Sequence, residues 1–256
     1  NYSANIRDLH IVPVYGGSSM EKQILGLKKG AQIVVATPGR LQDLIRRKAI
    51  KLGSIRSVVL DEADEMLNMG FLESIDEILA RVPDNRKILL FSATMPKPIA
   101  AIAAKYMKNP AEIVIGNRNA GAENIKHLYY VVHARDKYLA LKRIVDYYPS
   151  IYGIIFCRTR TDTKEIADKL IADGYNADAL HGDLSQIQRD SVMQKFRNRH
   201  LQLLVATDVA ARGLDVNDLT HIINYALPDD ISAYTHRSGR TGRAGKAGIS
   251  MAIINL

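Results

Sequence analysis

Two segments of this chain carry side chains suited to chemistry on phosphates. Asp61-Glu62-Ala63-Asp64 places three carboxylates directly after the apolar run Ser57-Val58-Val59-Leu60. Carboxylates at a strand end can hold a hydrated magnesium ion and polarise a water. About 170 residues downstream, His236-Arg237-Ser238-Gly239-Arg240-Thr241-Gly242-Arg243 spaces three arginines evenly on a glycine-broken frame. Guanidinium groups neutralise the charge that builds on a transferring phosphoryl group. Together the segments suggest a nucleotide site closed between two halves of the protein. Each has a plainer reading. Acidic clusters are commonly solvated helix starts, favoured by the macrodipole. Three solvated arginines, by contrast, account for neither the glycines nor the spacing.

The elements that must position these groups show a rhythm of apolar run, polar motif and helical pattern. Ile33-Val34-Val35-Ala36 leads into Thr37-Pro38-Gly39-Arg40, and Val58-Val59-Leu60 into the carboxylates. A helix then carries Leu67, Phe71, Ile75, Ile78 and Val82 on one stripe. Ile88-Leu89-Leu90-Phe91 leads into Ser92-Ala93-Thr94, Ile154-Ile155-Phe156-Cys157 into Arg158-Thr159, and Leu203-Leu204-Val205-Ala206 into Thr207-Asp208. Short continuous apolar runs alternating with helical patterns predict buried parallel strands in an α/β fold. Ligands in such sheets sit beyond the carboxyl ends of the strands, where every one of these polar motifs falls. Ser92-Ala93-Thr94 also reads as a helix N-cap, since Pro96 and Pro98 come next. The stretch from Gly116 to Asn124, rich in glycine and asparagine, predicts a boundary. The expected division is residues 1–118, a linker at 119–124, and a second domain at 125–256.

The chain has 256 residues, 47% apolar and 24% charged, with a formal net charge of +8. Its pI is about 9.5. The excess is spread evenly: 17 basic and 13 acidic residues up to Asn124, then 18 and 14, so +4 in each part. Such a balance suits a groove that tracks a nucleic-acid backbone. Cys157 is the single cysteine, which excludes an intrachain disulfide and favours a reducing compartment. It is expected to pack as a small hydrophobe. No apolar run approaches the roughly 20 residues that span a bilayer. The expected setting is cytoplasmic, without membrane attachment, as a monomer.

In order along the chain, Gly16-Gly17, Thr37-Pro38-Gly39-Arg40, Asp61 to Asp64, Ser92-Ala93-Thr94, Arg158-Thr159, His181-Gly182-Asp183, Thr207 to Asp215 and His236 to Arg243 resemble the motifs of DEAD-box helicases. Their wording is closest to bacterial members of that superfamily 2 group, including cold-shock and ribosome-assembly helicases. The resemblance covers essentially the whole chain. It implies two RecA-like parallel-sheet domains that bind ATP, Mg²⁺ and RNA together and couple hydrolysis to duplex unwinding. Asp61 would hold magnesium through water, and Glu62 would orient and deprotonate the attacking water. Ser92 and Thr94 would bond Asp64 and His236, linking the γ-phosphate to the other domain. Gly213 and Asp215 would approach the nucleotide ribose, Arg240 and Arg243 would be arginine fingers, and His236 and Arg237 would bind neighbouring protein groups.

For RNA, the resemblance implies backbone contacts with little sequence preference. Gly16, Gly17, Thr37, Pro38, Gly39 and Arg40 would serve in the first domain; Arg158, Gly182, Gln186, Arg189 and Thr207 would serve in the second. Ribosomal or messenger RNA complexes are the expected setting. Gln186 and Arg189 also read as an exposed helix face. Tyr129, Tyr130, Tyr147, Tyr148 and Tyr152 read as packing residues and not as a stacking platform.

The sequence departs from the family in one respect. It has no Gly-x-x-x-x-Gly-Lys-[Ser/Thr] loop, no upstream glutamine motif and no Pro-Thr-Arg-Glu-Leu segment. The expectation is a first domain truncated at its N-terminus, a marginal fold for it, and no ATPase or unwinding by these 256 residues alone. Two alternatives stand beside the helicase: a non-catalytic RNA-binding module, and a related superfamily 2 DNA helicase. Intact Glu62, Arg240 and Arg243 weigh against the first, and Asp64 with Ser92-Ala93-Thr94 against the second.

Overall fold

Alternation of short apolar runs with amphipathic segments produces parallel sheets, as the sequence leads one to expect. The computed structural model describes residues 8–114, 124–211, 214 and 216–256, and the chain divides into two units, Asn1–Asn119 and Ala120–Leu256. The linker expected at 119–124 lies outside the described residues except for Asn124.

The first unit runs β1 (Ile11–Val14), α1 (Met20–Lys28), β2 (Ile33–Ala36), α2 (Pro38–Arg46), β3 (Ser57–Leu60), α3 (Ala63–Asn68), α4 (Leu72–Leu79), β4 (Lys87–Leu90) and α5 (Lys97–Tyr106). β1 pairs with β2 and β3 with β4, both in parallel, as two separate two-stranded sheets. Val12, Val14 and Leu44 form one small core, with Val34 and Ala36 against it. Ile75, Leu79 and Ile102 form another beside Val58, Leu60 and Ile88. Each strand of this unit therefore buries one face only. Ile33, Val35, Val59, Leu89 and Phe91 are exposed on the other, with Val35 at 61%. This corrects the expectation of strands buried on both faces. The single helix expected from Leu67 to Val82 is also two helices, α3 and α4. Gly70 at φ +76° ends the first, and Phe71 caps the second.

The second unit runs β5 (Ile125–Val132), a 3-10 turn (Ala134–Asp136), α6 (Lys137–Tyr147), β6 (Gly153–Cys157), α7 (Arg160–Ala172), β7 (Ala177–Leu180), α8 (Gln186–Arg197), β8 (Leu203–Thr207), α9 (Asp208–Ala211), β9 (His221–Asn224), α10 (Ile231–Ser238), a 3-10 turn (Arg243–Gly245) and β10 (Gly248–Asn255). Its sheet is six-stranded and parallel, in the order β5-β10-β9-β6-β8-β7. β6, β8 and β9 are buried along their whole length. One face carries Leu141, Ile155, Leu170, Val205 and Met251. The opposite face carries Ile154, Phe156, Phe196, Leu204 and Ile222. Cys157 is fully buried in the first cluster, and burial pushes its thiol up to about 12. It packs as a small hydrophobe.

The tyrosines divide. Tyr152 is buried and its hydroxyl donates to the Phe196 carbonyl at 2.8 Å. Tyr148 packs half-buried against His221. Tyr129, Tyr130 and Tyr147 are exposed, at 70%, 38% and 77%, which corrects their reading as packing residues. The physical reason is position: β5 is an edge strand paired only with β10, and Tyr147 closes α6.

The contrast in burial predicts unequal stability. Amides of β1–β4 are expected to exchange about a hundredfold or more faster than those of β6, β8 and β9. Residue-resolved hydrogen exchange checks this, and equal protection in both units would contradict it.

Candidate functional site

In the first unit the acidic segment leaves β3 at its carboxyl end and turns under itself within four residues. Glu62 makes the turn as the N-cap of α3, with φ 51° and ψ 48°. A left-handed conformation costs a side-chain-bearing residue about 1–2 kcal/mol, so surrounding contacts must hold it. Asp61 and Glu62 remain exposed, whereas Asp64 is 2% exposed. Asp61 Oδ1 accepts from the Glu62 backbone N–H at 3.0 Å. The Ala63 N–H donates to the Phe91 carbonyl at 3.1 Å, tying the start of α3 to the end of β4.

The buried Asp64 carboxylate is held by the Ser-Ala-Thr segment. Its Oδ2 accepts from the Thr94 N–H at 2.7 Å and from Thr94 Oγ1 at 2.8 Å. Ser92 Oγ accepts from the Asp64 N–H at 3.2 Å and donates to the Thr94 carbonyl at 2.6 Å. Ser92 thus reaches the Asp64 backbone and not its carboxylate. Neither hydroxyl caps α5: its N-cap is Pro96, without a side-chain bond. The helix-cap reading of Ser92-Ala93-Thr94 is therefore corrected, because α5 begins only at Lys97, which puts Pro96 and neither hydroxyl at the capping position.

Gly16-Gly17 and Thr37-Pro38-Gly39-Arg40 come together by register, since Val14 and Ala36 are partners at the ends of β1 and β2. Gly17 turns at φ +78°, and a Cβ on Gly16 would meet nothing within 4 Å. Thr37 is the N-cap of α2 without a side-chain bond, and Pro38 occupies its first turn. Arg40 Nη1 donates to the Ser18 carbonyl at 3.0 Å, clamping the two loops.

In the second unit the register pairs Cys157 with Thr207 and Leu180 with Ala206. Arg158, Thr207 and His181-Gly182 therefore stand in a row at the carboxyl edge of β6, β8 and β7. Arg158 Nη2 donates to Asp229 Oδ1 at 3.0 Å. Thr207 is buried and its Oγ1 accepts from the Ala210 N–H at 3.4 Å. Gln186 and Arg189 lie on the first turn of α8, which Ser185 and Gln188 start with a capping box. Gln186 Nε2 donates to Asp190 Oδ1 at 2.8 Å. Gly213 and Asp215 lie outside the described residues.

The arginine segment begins at the end of α10. Arg237 is buried and binds protein, donating from Nε and Nη2 to the two Asp208 oxygens at 2.6 Å each. Its Nη1 donates to Asn224 Oδ1 at 2.9 Å and the Ala226 carbonyl at 2.6 Å. Every face of that guanidinium is committed inward. Arg240 is half-buried with Nη1 donating to the Leu214 carbonyl at 3.3 Å, and Arg243 is exposed with Nε donating to the Gly239 carbonyl at 3.2 Å. His236, half-buried, sits in the last turn of α10.

The glycines of this segment have a measurable cause. Gly242 has φ +69°, and a Cβ there would come within 2.7 Å of Ile125 Cγ1. Asn124 Nδ2 donates to the Gly242 carbonyl at 2.6 Å, so the loop between Arg240 and Arg243 is clamped by the start of β5. Gly242→Ala is expected to destabilise the second unit by about 1–2 kcal/mol for the left-handed conformation, with about 1–3 kcal/mol more for overpacking. Urea unfolding of that unit checks it; an unchanged midpoint would show that the loop yields freely.

Sequence reasoning missed Arg160 and Asn224, and it placed Asp183 and Asp208 inside motifs without giving either a role. Their importance depends on strand register and chain reversal, and the only signals were the charge of Arg160 beside Arg158-Thr159 and the place of the two aspartates in the named motifs. Among the described residues no group of three or more His, Cys, Asp or Glu side chains is arranged to hold a metal, and no helix is long and apolar enough to cross a membrane.

Comparisons with known proteins agree with this geometry. The DEAD/DEAH box helicase family pattern matches residues 1–102, and the helicase conserved C-terminal domain matches residues 136–245. The DEAD-box ATP-dependent RNA helicase CshA of Geobacillus kaustophilus is 46% identical over 249 residues, covering 97% of this chain and 53% of that protein. CshA of Streptococcus pneumoniae is 50% identical over 227 residues, 89% of this chain and 43% of that protein. The chain thus spans about half the length of the curated relatives it matches. Among solved structures, a DEAD box protein from Methanococcus jannaschii is 46% identical, covering 97% of this chain and 67% of its own, with a TM-score of 0.53. Yeast Dbp5 bound to RNA and ADP BeF3 is 30% identical, covering 97% and 64%, with a TM-score of 0.85. An α/β chain of two RecA-like units, matched along its length by these patterns and relatives, belongs to the DEAD-box helicase family.

Proposed function

We propose that this chain supplies part of an ATP-dependent RNA helicase, coupling ATP hydrolysis to RNA binding and duplex unwinding. The observation that carries the reading is the division of labour in the acidic segment. Asp64 is buried on Thr94, while Asp61 and Glu62 stand exposed beyond β3. The relatives are named for this activity, and Dbp5 is bound to RNA and ADP BeF3.

Two exposed carboxylates fit a hydrated magnesium ion, which takes one or two carboxylates together with substrate phosphates and keeps several waters. Asp61 would hold it through water, with Glu62 beside it. When bound, the ion would neutralise charge on the β- and γ-phosphate oxygens. Glu62 accepts the proton of the attacking water. Asp64 touches neither: it fixes the Ser92-Ala93-Thr94 segment against the start of α3, so movement at the acidic segment is felt at Thr94. Arg240 and Arg243 act on the transferring phosphoryl group. No phosphate-binding loop occurs in these 256 residues, and we expect them to show no ATPase or unwinding by themselves.

The RNA backbone would run along Gly16-Gly17 and Thr37 to Arg40 in one unit, and along Arg158, Thr207, Gly182, Gln186 and Arg189 in the other. The proposed setting is ribosomal or messenger RNA in the cytoplasm, bound by a monomer. A single buried cysteine is in keeping with that compartment.

The test is ATP hydrolysis and RNA affinity in a protein carrying this chain together with a phosphate-binding loop. RNA-stimulated turnover is expected, with similar affinity for unrelated single strands and a steep fall as salt rises. Strong preference for one base sequence at fixed salt, or equal stimulation by DNA, would count against backbone-directed RNA binding.

A further inference from the structure

The end of β8, where Thr207 meets the proposed RNA path, is spanned by an ion pair that the family motifs leave without a role. Arg160 opens α7, just beyond β6, and its Nη1 donates to Asp183 Oδ1 in the loop beyond β7. β6 and β7 are not neighbours; β8 lies between them. Their ends are therefore about 9.5 Å apart, two strand spacings, and the pair crosses that gap. Arg160 Cδ lies 3.7 Å from where a Cβ on Gly182 would stand, so its stem rests on the glycine proposed to approach RNA. Both charged groups are more than half exposed, Arg160 at 62% and Asp183 at 58%. A phosphate reaching Thr207 or Gly182 comes within range of that guanidinium.

Asp183 has a second partner within reach. His181 is 7% exposed, and its Nδ1 has no hydrogen-bond partner among the described residues. It lies 3.9 Å from Asp183 Oδ2, too far for a hydrogen bond but close enough for a rotamer adjustment to make one. A carboxylate that releases Arg160 can thus turn to the Nδ1–H tautomer of His181. An exposed ion pair is weak, and an Arg–phosphate contact is of the same charge-assisted kind as the Arg–carboxylate contact it would replace. Exchange of one partner for the other is energetically reasonable.

We propose that Arg160 is a further RNA-phosphate contact, held over the end of β8 by Asp183 until the backbone displaces the carboxylate. The proposal rests on the RNA-binding reading above and adds to it a residue and an order of events. It separates Asp183 from a scaffold role. A scaffold loses binding when either partner is removed. A holding carboxylate competes with RNA, so its removal strengthens binding, and only while Arg160 is present.

The experiment is a double-mutant cycle, with affinity for a fluorescein-labelled oligouridylate measured by anisotropy at several salt concentrations. The protein is one carrying this chain and a phosphate-binding loop, with a non-hydrolysable ATP analogue present. Arg160→Ala is expected to weaken binding about five- to tenfold and to flatten the log–log salt slope by about 0.7, the value for one phosphate contact on a single strand. Asp183→Asn is expected to tighten binding about two- to threefold, and the double variant to match Arg160→Ala. Circular dichroism of each variant confirms that the fold is kept. Loss of affinity in Asp183→Asn would overturn the proposal in favour of a scaffold. An equal gain with and without Arg160 would overturn it in favour of simple repulsion. Arg160→Ala without effect, while Arg189→Ala weakens binding, would overturn it and leave the RNA reading standing. No RNA binding by the unsubstituted protein would remove both.

Discussion

Replacing Glu62 with glutamine, in a protein carrying this chain together with a phosphate-binding loop, is expected to abolish ATP turnover while leaving nucleotide and RNA binding almost unchanged. The amide keeps the shape of the side chain but cannot take a proton from water, and loss of a positioned general base typically costs about 10²–10⁴-fold. The geometry makes this substitution unusually clean. Glu62 is exposed, and the turn it makes belongs to its backbone, at φ 51°. Glutamine can occupy the same conformation, and Asp64 keeps its bonds to Thr94. Asp64→Asn is different. It removes half the acceptor capacity of a buried group and presents an amide to the Thr94 N–H, so its loss of activity would come with loss of stability. Single-turnover kinetics with saturating RNA, beside nucleotide affinity, separate the two. RNA-stimulated hydrolysis by Glu62→Gln within a few-fold of the parent would remove Glu62 from the catalytic role.

That distinction between the acidic residues was not legible in the sequence. The strand that precedes Asp61 was, because Val58-Val59-Leu60 is a continuous apolar run. The turn after Asp61 depends on a left-handed residue that is not glycine, and sequence carries no marker for it. Gly70 is the opposite case: a glycine inside a helical stripe, whose φ of +76° splits one expected helix into two. Periodicity from Leu67 to Val82 hid that break, since Met66 of α3 packs against the same small core as Ile75 and Leu79 of α4. The parallel strands of the second unit were legible because both their faces are buried. Similar runs in the first unit bury only one, and a run of four apolar residues looks the same in either setting. The exposed tyrosines on β5 reflect its place at the sheet edge, which depends on strand order. The same holds for Arg160 and Asp183, which meet only across the end of β8.

The arginine segment joins both kinds of legibility, and its substitution is the second large effect expected. Its three guanidiniums are spaced alike in sequence, and only the resemblance sets Arg237 apart as a residue that binds protein groups, which is what it does in the structure. Arg237 spends its donors on Asp208, Asn224 and Ala226, against the Phe156 ring at 4.8 Å. Arg240 and Arg243 lie on either side of the clamped Gly242 loop, each with a bond to a backbone carbonyl, at 3.3 Å and 3.2 Å. Arg240→Lys or Arg243→Lys is therefore expected to lower turnover by about 10³-fold or more, with little change in nucleotide affinity. Lysine keeps the charge but loses the planar fork that meets a phosphoryl group on two oxygens. Arg237→Lys is expected to fail differently. It leaves Asp208 and the buried Asn224 short of donors, and breaking a pair built on a buried charge costs up to about 3–5 kcal/mol of stability. Thermal unfolding beside steady-state kinetics tells these outcomes apart: the first two variants should keep their midpoint and lose kcat, and the third should lose its midpoint. A raised KM alone for Arg240→Lys and Arg243→Lys would mean that these side chains bind the ground state and do not act on the transferring phosphate.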